Sequence, residues 1–199
     1  MAPRRVLLLD VDGVLVRGDF SDVLRERHGI TPEQTRAFFT GPFQQCSLGK
    51  GDLLECLAPH LPEWGWDSSL EDLIDLWFGA ATVVEEDVLA AVRRYRAAGI
   101  ECWLATVQEQ RRMDHLLTAR GLAQEFDGWF YSAEIGAFKT EPAYWAHVGA
   151  RLGLPPDALL LVDDDQRNVD AARASGLRAE LYRELPDLHA AVSKHFGAL

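Results

Sequence analysis

Arg4-Arg5-Val6-Leu7-Leu8-Leu9-Asp10-Val11-Asp12-Gly13-Val14-Leu15 is the segment from which the architecture follows. An unbroken apolar run from Val6 to Leu9 stops at two carboxylates and a glycine. A strand buried on both faces reads as such a run, and strands of this kind lie inside parallel sheets. In open α/β folds, ligands bind beyond the carboxyl ends of the strands. Asp10 and Asp12 are two residues apart, so an extended backbone points them the same way. Like charges held that close repel unless a cation or a shared proton relieves them. Gly13 lets the chain turn and approach a ligand closely. The plain alternative is a strand that ends in solvated turn acids, since Asp and Gly favour turns.

Downstream of Leu15 the pattern changes. Residues 18–82 show no second buried strand and read as helices near Ser21–His28, Pro32–Phe39, Lys50–His60 and Leu70–Phe78. Ser21 and Thr31 are expected N-caps, the latter followed by Pro32, and Gly29 fits a C-cap. Phe38, Phe39, Phe43, Leu53, Leu57, Trp77 and Phe78 are read as the core of a small helical subdomain. From residue 83 strands alternate with helices. Expected strands are Ile100–Thr106, Gly128–Ser132, Ala158–Asp163 and Arg178–Tyr182; expected helices are Glu85–Ala98, Glu109–Arg120, Glu141–Leu152, Gln166–Ser175 and Leu185–Phe196. That rhythm means βαβ units, and right-handed crossovers put helices on both faces of one sheet. The expected fold is therefore α/β, a doubly wound, Rossmann-like parallel sheet with a small helical insertion. Its core is residues 1–17 and 83–199, and the insertion is residues 18–82.

The 199 residues match one domain with an insertion. With 48% hydrophobic and 26% charged residues the composition is that of a globular protein. No apolar run reaches the roughly 18 residues a membrane helix needs, and the run behind Arg4 and Arg5 meets Asp10 too early for a secretory signal. Cys46, Cys56 and Cys102 show no metal or disulfide spacing, so a reducing, cytoplasmic setting is expected. A net charge of −11 argues against general nucleic-acid binding. The six histidines have no paired metal spacing and receive no role.

Three expected strands carry polar residues where their apolar run ends: Asp10 and Asp12, then Thr106, then Asp163-Asp164-Asp165. Lys139 follows the third expected strand, Gly128–Ser132. Carboxyl ends of parallel strands share one sheet edge, so these groups can converge. Carboxylates beside a hydroxyl and a lysine suit a hard, oxygen-bound cation next to an anion, and magnesium often binds with substrate phosphates. Singly, each has a plain reading: Asp163–Asp165 as a helix N-cap, Lys139 as a surface lysine, Thr106 as a strand-end threonine.

Taken in order, these residues resemble the four motifs of the haloacid dehalogenase-like hydrolase superfamily. Asp10-Val11-Asp12-Gly13-Val14-Leu15 is similar to its first motif, Thr106 after Trp103-Leu104-Ala105 to its second, Lys139 to its third, and Leu161-Val162-Asp163-Asp164-Asp165 to its fourth in the double-aspartate form. The helical stretch between the first two motifs fits that family's inserted α-helical cap. The resemblance implies a Mg²⁺-dependent phosphatase acting on a small phosphorylated metabolite. Asp10 would be the nucleophile that forms an aspartyl-phosphate, and Asp12 the general acid and then base. Asp10, the Asp12 carbonyl and Asp164 would hold the metal, with Asp163 in support. Thr106 would bond a phosphoryl oxygen, and Lys139 would hold both that group and Asp10.

Two departures stand out. Val107 replaces the Asn that usually follows the second-motif Thr, which removes a polar group near substrate or nucleophile, and Thr140 replaces a Pro after the lysine. Competing readings are a phosphoglucomutase-like or dehalogenase-like member, a response-regulator receiver, and a catalytically weak protein that binds a phosphorylated ligand. Asp12 and the acidic fourth motif disfavour a dehalogenase; the long insertion and the place of the first aspartates disfavour a receiver. Specificity is expected from the cap, near Phe43-Gln44-Gln45 and Lys50. Trp64 and Trp66 read as cap core or as a dimer patch, which leaves monomer and homodimer both open.

Overall fold

The computed structural model describes residues 4–80 and 82–197. Its main sheet has five strands, and its centre is the opening apolar run, β1 (Val6–Leu9). Two short strands, β2 (Val16–Arg17) and β3 (Val83–Val84), pair antiparallel and carry the chain out of and back into the sheet layer. The rest of the main sheet is β4 (Glu101–Thr106), β5 (Gly128–Tyr131), β6 (Leu159–Asp163) and β7 (Arg178–Leu181), in the order β5-β4-β1-β6-β7. All four pairings are parallel; Leu9 lies opposite Leu104 on one side and Val162 on the other.

The alternation of a strand explains why β1 is apolar throughout. Leu7 and Leu9 face one layer, with Val92, Tyr95, Leu116 and Leu188 from helices Glu86–Ala97, Gln110–Thr118 and Leu185–Phe196. Val6 and Leu8 face the other, with Tyr144, Trp145, Val148 and Val169 from helices Pro142–Leu152 and Gln166–Ala174. All four β1 side chains are fully buried. At roughly 25 cal/mol per Å² of apolar area, such a strand is among the strongest fold determinants in the chain.

The chain runs outward from β1 through β4 to β5, then crosses to β6 on the other flank. The switch point is therefore β1 itself, where an α/β sheet opens a crevice. Residues 20–78 build a separate apolar cluster in which Phe20 stacks on Trp77 at 4.5 Å, with Phe38, Leu53 and Leu73 fully or almost fully buried. Trp64 and Trp66 are buried in that cluster, 2% and 9% exposed, so they form no surface patch. No helix among the described residues is long and apolar enough to cross a membrane.

Several local expectations shift. Asp19, not Ser21, caps the first helix: its carboxylate accepts the Ser21 N–H at 2.7 Å, and the helix starts one residue earlier than expected. The expected helix from Lys50 begins only at Leu53, because Asp52 takes the N-cap and leaves Gly49-Lys50-Gly51 as a turn. That segment then breaks into Leu53–Leu57, a 3₁₀ turn at Ala58–His60 and Leu61–Trp64, with prolines at 59 and 62 in the first positions of the last two. The helix expected to end at Phe78 closes at Asp75 and widens into a π turn, Leu76–Ala80. Short helices Leu122–Glu125 and Ser132–Ile135 fill what read as loop or strand end.

Candidate active site

Strand order alone places three of the candidates. Asp10 leaves β1 with its N–H on the Val162 carbonyl at 3.1 Å, Thr106 ends β4, and Asp163 ends β6. Since β4 and β6 flank β1, Thr106 and Asp163 stand on either side of Asp10. Gly13 then turns the chain at φ 77°, and a Cβ there would lie 2.0 Å from the Asp164 carboxylate. Any side chain at 13 would thus collide with the acid cluster.

Lys139 comes from the loop after helix Ser132–Ile135 and is 1% exposed. Its ammonium contacts Asp10 Oδ1 at 2.8 Å and Asp163 Oδ2 at 2.6 Å. It is a buried lysine between two buried carboxylates, not a surface one. Its carbonyl accepts the Trp145 indole N–H at 2.7 Å, which ties the loop to the following helix. Asp163 is further held by the Asp165 N–H at 2.9 Å and the Asn168 amide at 3.1 Å. Asp165 is the N-cap of helix Gln166–Ala174, so one of the three acids has the plain role and two are left for the site.

The electrostatics follow from burial. The Asp10 carboxyl stands at about 7: desolvation pushes it up, Lys139 pulls it down, and Asp163 and Asp12 push it up again. Asp164 is raised too, first by burial and then by Asp163. Lys139 stays above its ordinary value, because Asp10 and Asp163 outweigh the burial that opposes its charge. Oxygens of Asp10, Asp163 and Asp164 lie within 4.8 Å of one another, a hard-donor cluster with more negative charge than one lysine balances. These residues fit a magnesium ion, which prefers carboxylate and water oxygens.

Asp12 differs. Its carboxylate is gripped by the Arg112 guanidinium, Nη2 to Oδ1 at 2.7 Å and Nη1 to Oδ2 at 2.8 Å, and by the Gln108 amide at 2.6 Å. Burial would raise it, but Arg112 and Gln108 hold it below the ordinary carboxylate range. Neither residue stands out in the sequence. The signal is faint: Gln108 lies in the loop that closely follows the second motif, and Arg112 lies in the first turn of the helix Gln110–Thr118 that begins just after it.

These groups line a pocket of about 480 Å³ at the carboxyl edge of the sheet. Asp10, Asp12, Thr106, Lys139 and Asp164 all reach it, as do Val107 and, from the helical insertion, Gln44 on helix Pro42–Ser47. Lys50 does not line it and is exposed on its turn. That turn abuts the sheet layer: a Cβ on Gly49 (φ 70°) would lie 2.2 Å from the Ala133 carbonyl. Arg111 bridges to Asp52 at 2.8 Å, and Arg120 donates to the Phe78 and Gly79 carbonyls at 3.0 and 2.7 Å, so residues 52 and 78–79 are tied to helix Gln110–Thr118 and the turn after it.

A family model for haloacid dehalogenase-like hydrolases matches residues 5–176. The chain belongs to this family of hydrolases. It is similar to enolase-phosphatase E1 from a Bradyrhizobium species, 32% identical over 97 residues, and to that from Methylococcus capsulatus, 31% over 98 residues. Those matches cover 47–48% of this chain and 41–42% of the relatives, so the chain spans under half the length of the curated relatives it matches. In structure, it superposes on a HAD family enzyme from Bacteroides thetaiotaomicron in complex with magnesium and inorganic phosphate: TM-score 0.76, 18% identity, covering 89% of this chain and 93% of that one. An L-2-haloacid dehalogenase from Xanthobacter autotrophicus gives TM-score 0.66 at 18% identity, covering 98% and 84%. At these identities the structural likeness speaks for the fold, the expected α/β core.

Proposed function

We propose that this hydrolase is a magnesium-dependent phosphatase that cleaves a small phosphoric monoester through an aspartyl-phosphate on Asp10. The observation that carries this reading is the buried Lys139 bridging Asp10 and Asp163 at the edge of a three-carboxylate cluster that opens on the pocket. The names of the enolase-phosphatase relatives and the magnesium and phosphate in the Bacteroides enzyme support the same chemistry.

Asp10 Oδ1 is occupied by Lys139 and by the Val11 N–H at 2.7 Å, which leaves Oδ2 to attack phosphorus. The bond from phosphorus to the leaving oxygen breaks; a proton that Asp12 takes up from solvent as the anionic substrate crowds its carboxylate passes to that oxygen, and Asp12, ionised again, takes a proton from the water that hydrolyses the phosphoryl group. Thr106 donates its hydroxyl to a phosphoryl oxygen, and Lys139 balances charge as the nucleophile loses its own. Asp10, the Asp12 carbonyl and Asp164, with Asp163 behind them, would hold the metal. When bound, magnesium neutralises charge on the transferring group. In this reading residues 1–17 and 83–199 are the catalytic core and 18–82 the cap, which presents Gln44 to the leaving group.

Val107 favours a second reading, a weak enzyme that chiefly binds a phosphorylated ligand, because it sets an apolar wall in the pocket. One experiment separates the two. Turnover of p-nitrophenyl phosphate is measured with magnesium, with EDTA, and for Asp10→Asn. The phosphatase reading expects turnover that requires magnesium and falls by at least about 10³-fold in the variant. Magnesium-dependent turnover that survives Asp10→Asn would overturn the nucleophile assignment. Silence of both proteins, persisting in Val107→Asn, would favour the binding protein.

A further inference from the structure

Arg112 is an expensive residue to place where it lies. It is 8% exposed, and a buried guanidinium is costly unless its donors are satisfied by a partner. Both terminal nitrogens are spent on Asp12, and Nη1 also donates to the Gln108 side-chain carbonyl at 2.9 Å. Gln108, 2% exposed, closes the ring by donating to Asp12 Oδ2. Its backbone N–H is pinned to the Ser132 hydroxyl at 3.1 Å, so the amide starts from a fixed point. A purely structural ion pair is usually closed on both sides. Here the Asp12 side chain remains 47% exposed, and it borders the pocket that holds Asp10. The carboxylate is clamped from behind and open in front.

The donor count also selects an oxygen. A carboxylate oxygen accepts two hydrogen bonds. Oδ2 takes two, from Arg112 and Gln108; Oδ1 takes one, from Arg112. The unfilled position is on Oδ1.

We infer that Arg112 and Gln108 are positioning residues that aim Asp12 Oδ1 at the water which hydrolyses the phosphoryl-enzyme. The inference rests on the phosphatase reading above. In that step the water oxygen bonds to phosphorus, the bond from phosphorus to Asp10 Oδ2 breaks with its electron pair returning to Asp10, and the water proton passes to Asp12 Oδ1. A fork that matches both carboxylate oxygens gives one orientation, which a lysine, as a point charge, does not reproduce.

The test separates the two halves of the reaction. p-Nitrophenolate leaves without help from an acid, so with p-nitrophenyl phosphate and magnesium the first half depends little on Asp12. In Arg112→Lys and Gln108→Ala, rapid mixing is expected to show a burst approaching one p-nitrophenol per site. The steady rate after it should be roughly 10- to 100-fold below wild type, with phosphoprotein trapped by acid quench. Arg112→Lys in an Asp12→Asn background should add no further loss, because the clamp then has nothing to aim. Burst and steady rates that fall by one common factor would show a structural role and overturn the inference. So would unchanged kinetics in both variants, or a further multiplicative loss on the Asp12→Asn background. If wild type shows no turnover dependent on Asp10, the phosphatase reading fails and the inference with it. If wild type turns over through Asp10, the variant kinetics bear on the clamp alone.

Discussion

Lys139 shows how much one side chain can decide. It neutralises two carboxylates inside the sheet edge, and no other cation contacts Asp163 among the described residues. Removing it leaves two acids buried without a counter-charge, which typically costs about 3–5 kcal/mol. Lys139→Met is therefore expected to lower unfolding free energy by about 3 kcal/mol or more in urea, with magnesium recovering part of the loss. An unchanged midpoint would mean that the acids are solvated rather than paired. The sequence pointed to Lys139 through its place after the third strand of the core, but its burial follows only from the loop that seats it against Asp10 and Asp163.

Among the elements, β4 depends on a contact outside its own ladder. Asp127, just before β5, accepts the Cys102 N–H at 2.8 Å and pairs with Arg96 at 2.8 Å, joining helix Glu86–Ala97 to two strands. Burial pushes the Asp127 carboxyl up, but Arg96 and the Cys102 N–H pull it further down, so it sits below its ordinary value. A group depressed in the folded state stabilises above its unfolded pKa, near 3.9, and loses that contribution as pH falls through the folded value. Asp127→Asn should cost about 1–2 kcal/mol at pH 7. The gap to wild type in urea titrations should narrow progressively below about pH 4, whereas a gap independent of pH would show that charge is not what matters there. Element types were mostly legible in this chain. Their ends moved where a competing cap won, as Asp52 did over Lys50 and Asp19 over Ser21.

For the molecule as a whole, the acid cluster makes folding and metal binding one equilibrium. Three carboxylates within 4.8 Å repel, and a bound cation stabilises the folded state alone. At 100 times its dissociation constant a ligand adds about 2.7 kcal/mol, or about 5–10 °C in Tm for a chain of this size. Magnesium is expected to raise the melting temperature by that order. Asp164→Asn should abolish most of the shift while raising the metal-free Tm slightly, since one of the repelling charges is gone. A shift of equal size in the variant would place the metal elsewhere.

Local sequence pattern was enough for the central strand, the α/β rhythm, the helical insertion and the choice of Asp10, Asp12, Thr106, Lys139, Asp163 and Asp164 as candidates. These rest on features contained in short segments: an apolar run that stops at acids, alternation of periods, and motif order. Packing in three dimensions was needed to show that Arg112 and Gln108 hold Asp12, that Asp163 is spent on Lys139 while Asp164 stays open to a cation, and that Gln44 rather than Lys50 reaches the pocket. Each of these is a pairing across dozens of residues or a matter of which way a turn faces. Such choices follow from how layers pack, and no local period in the sequence encodes them.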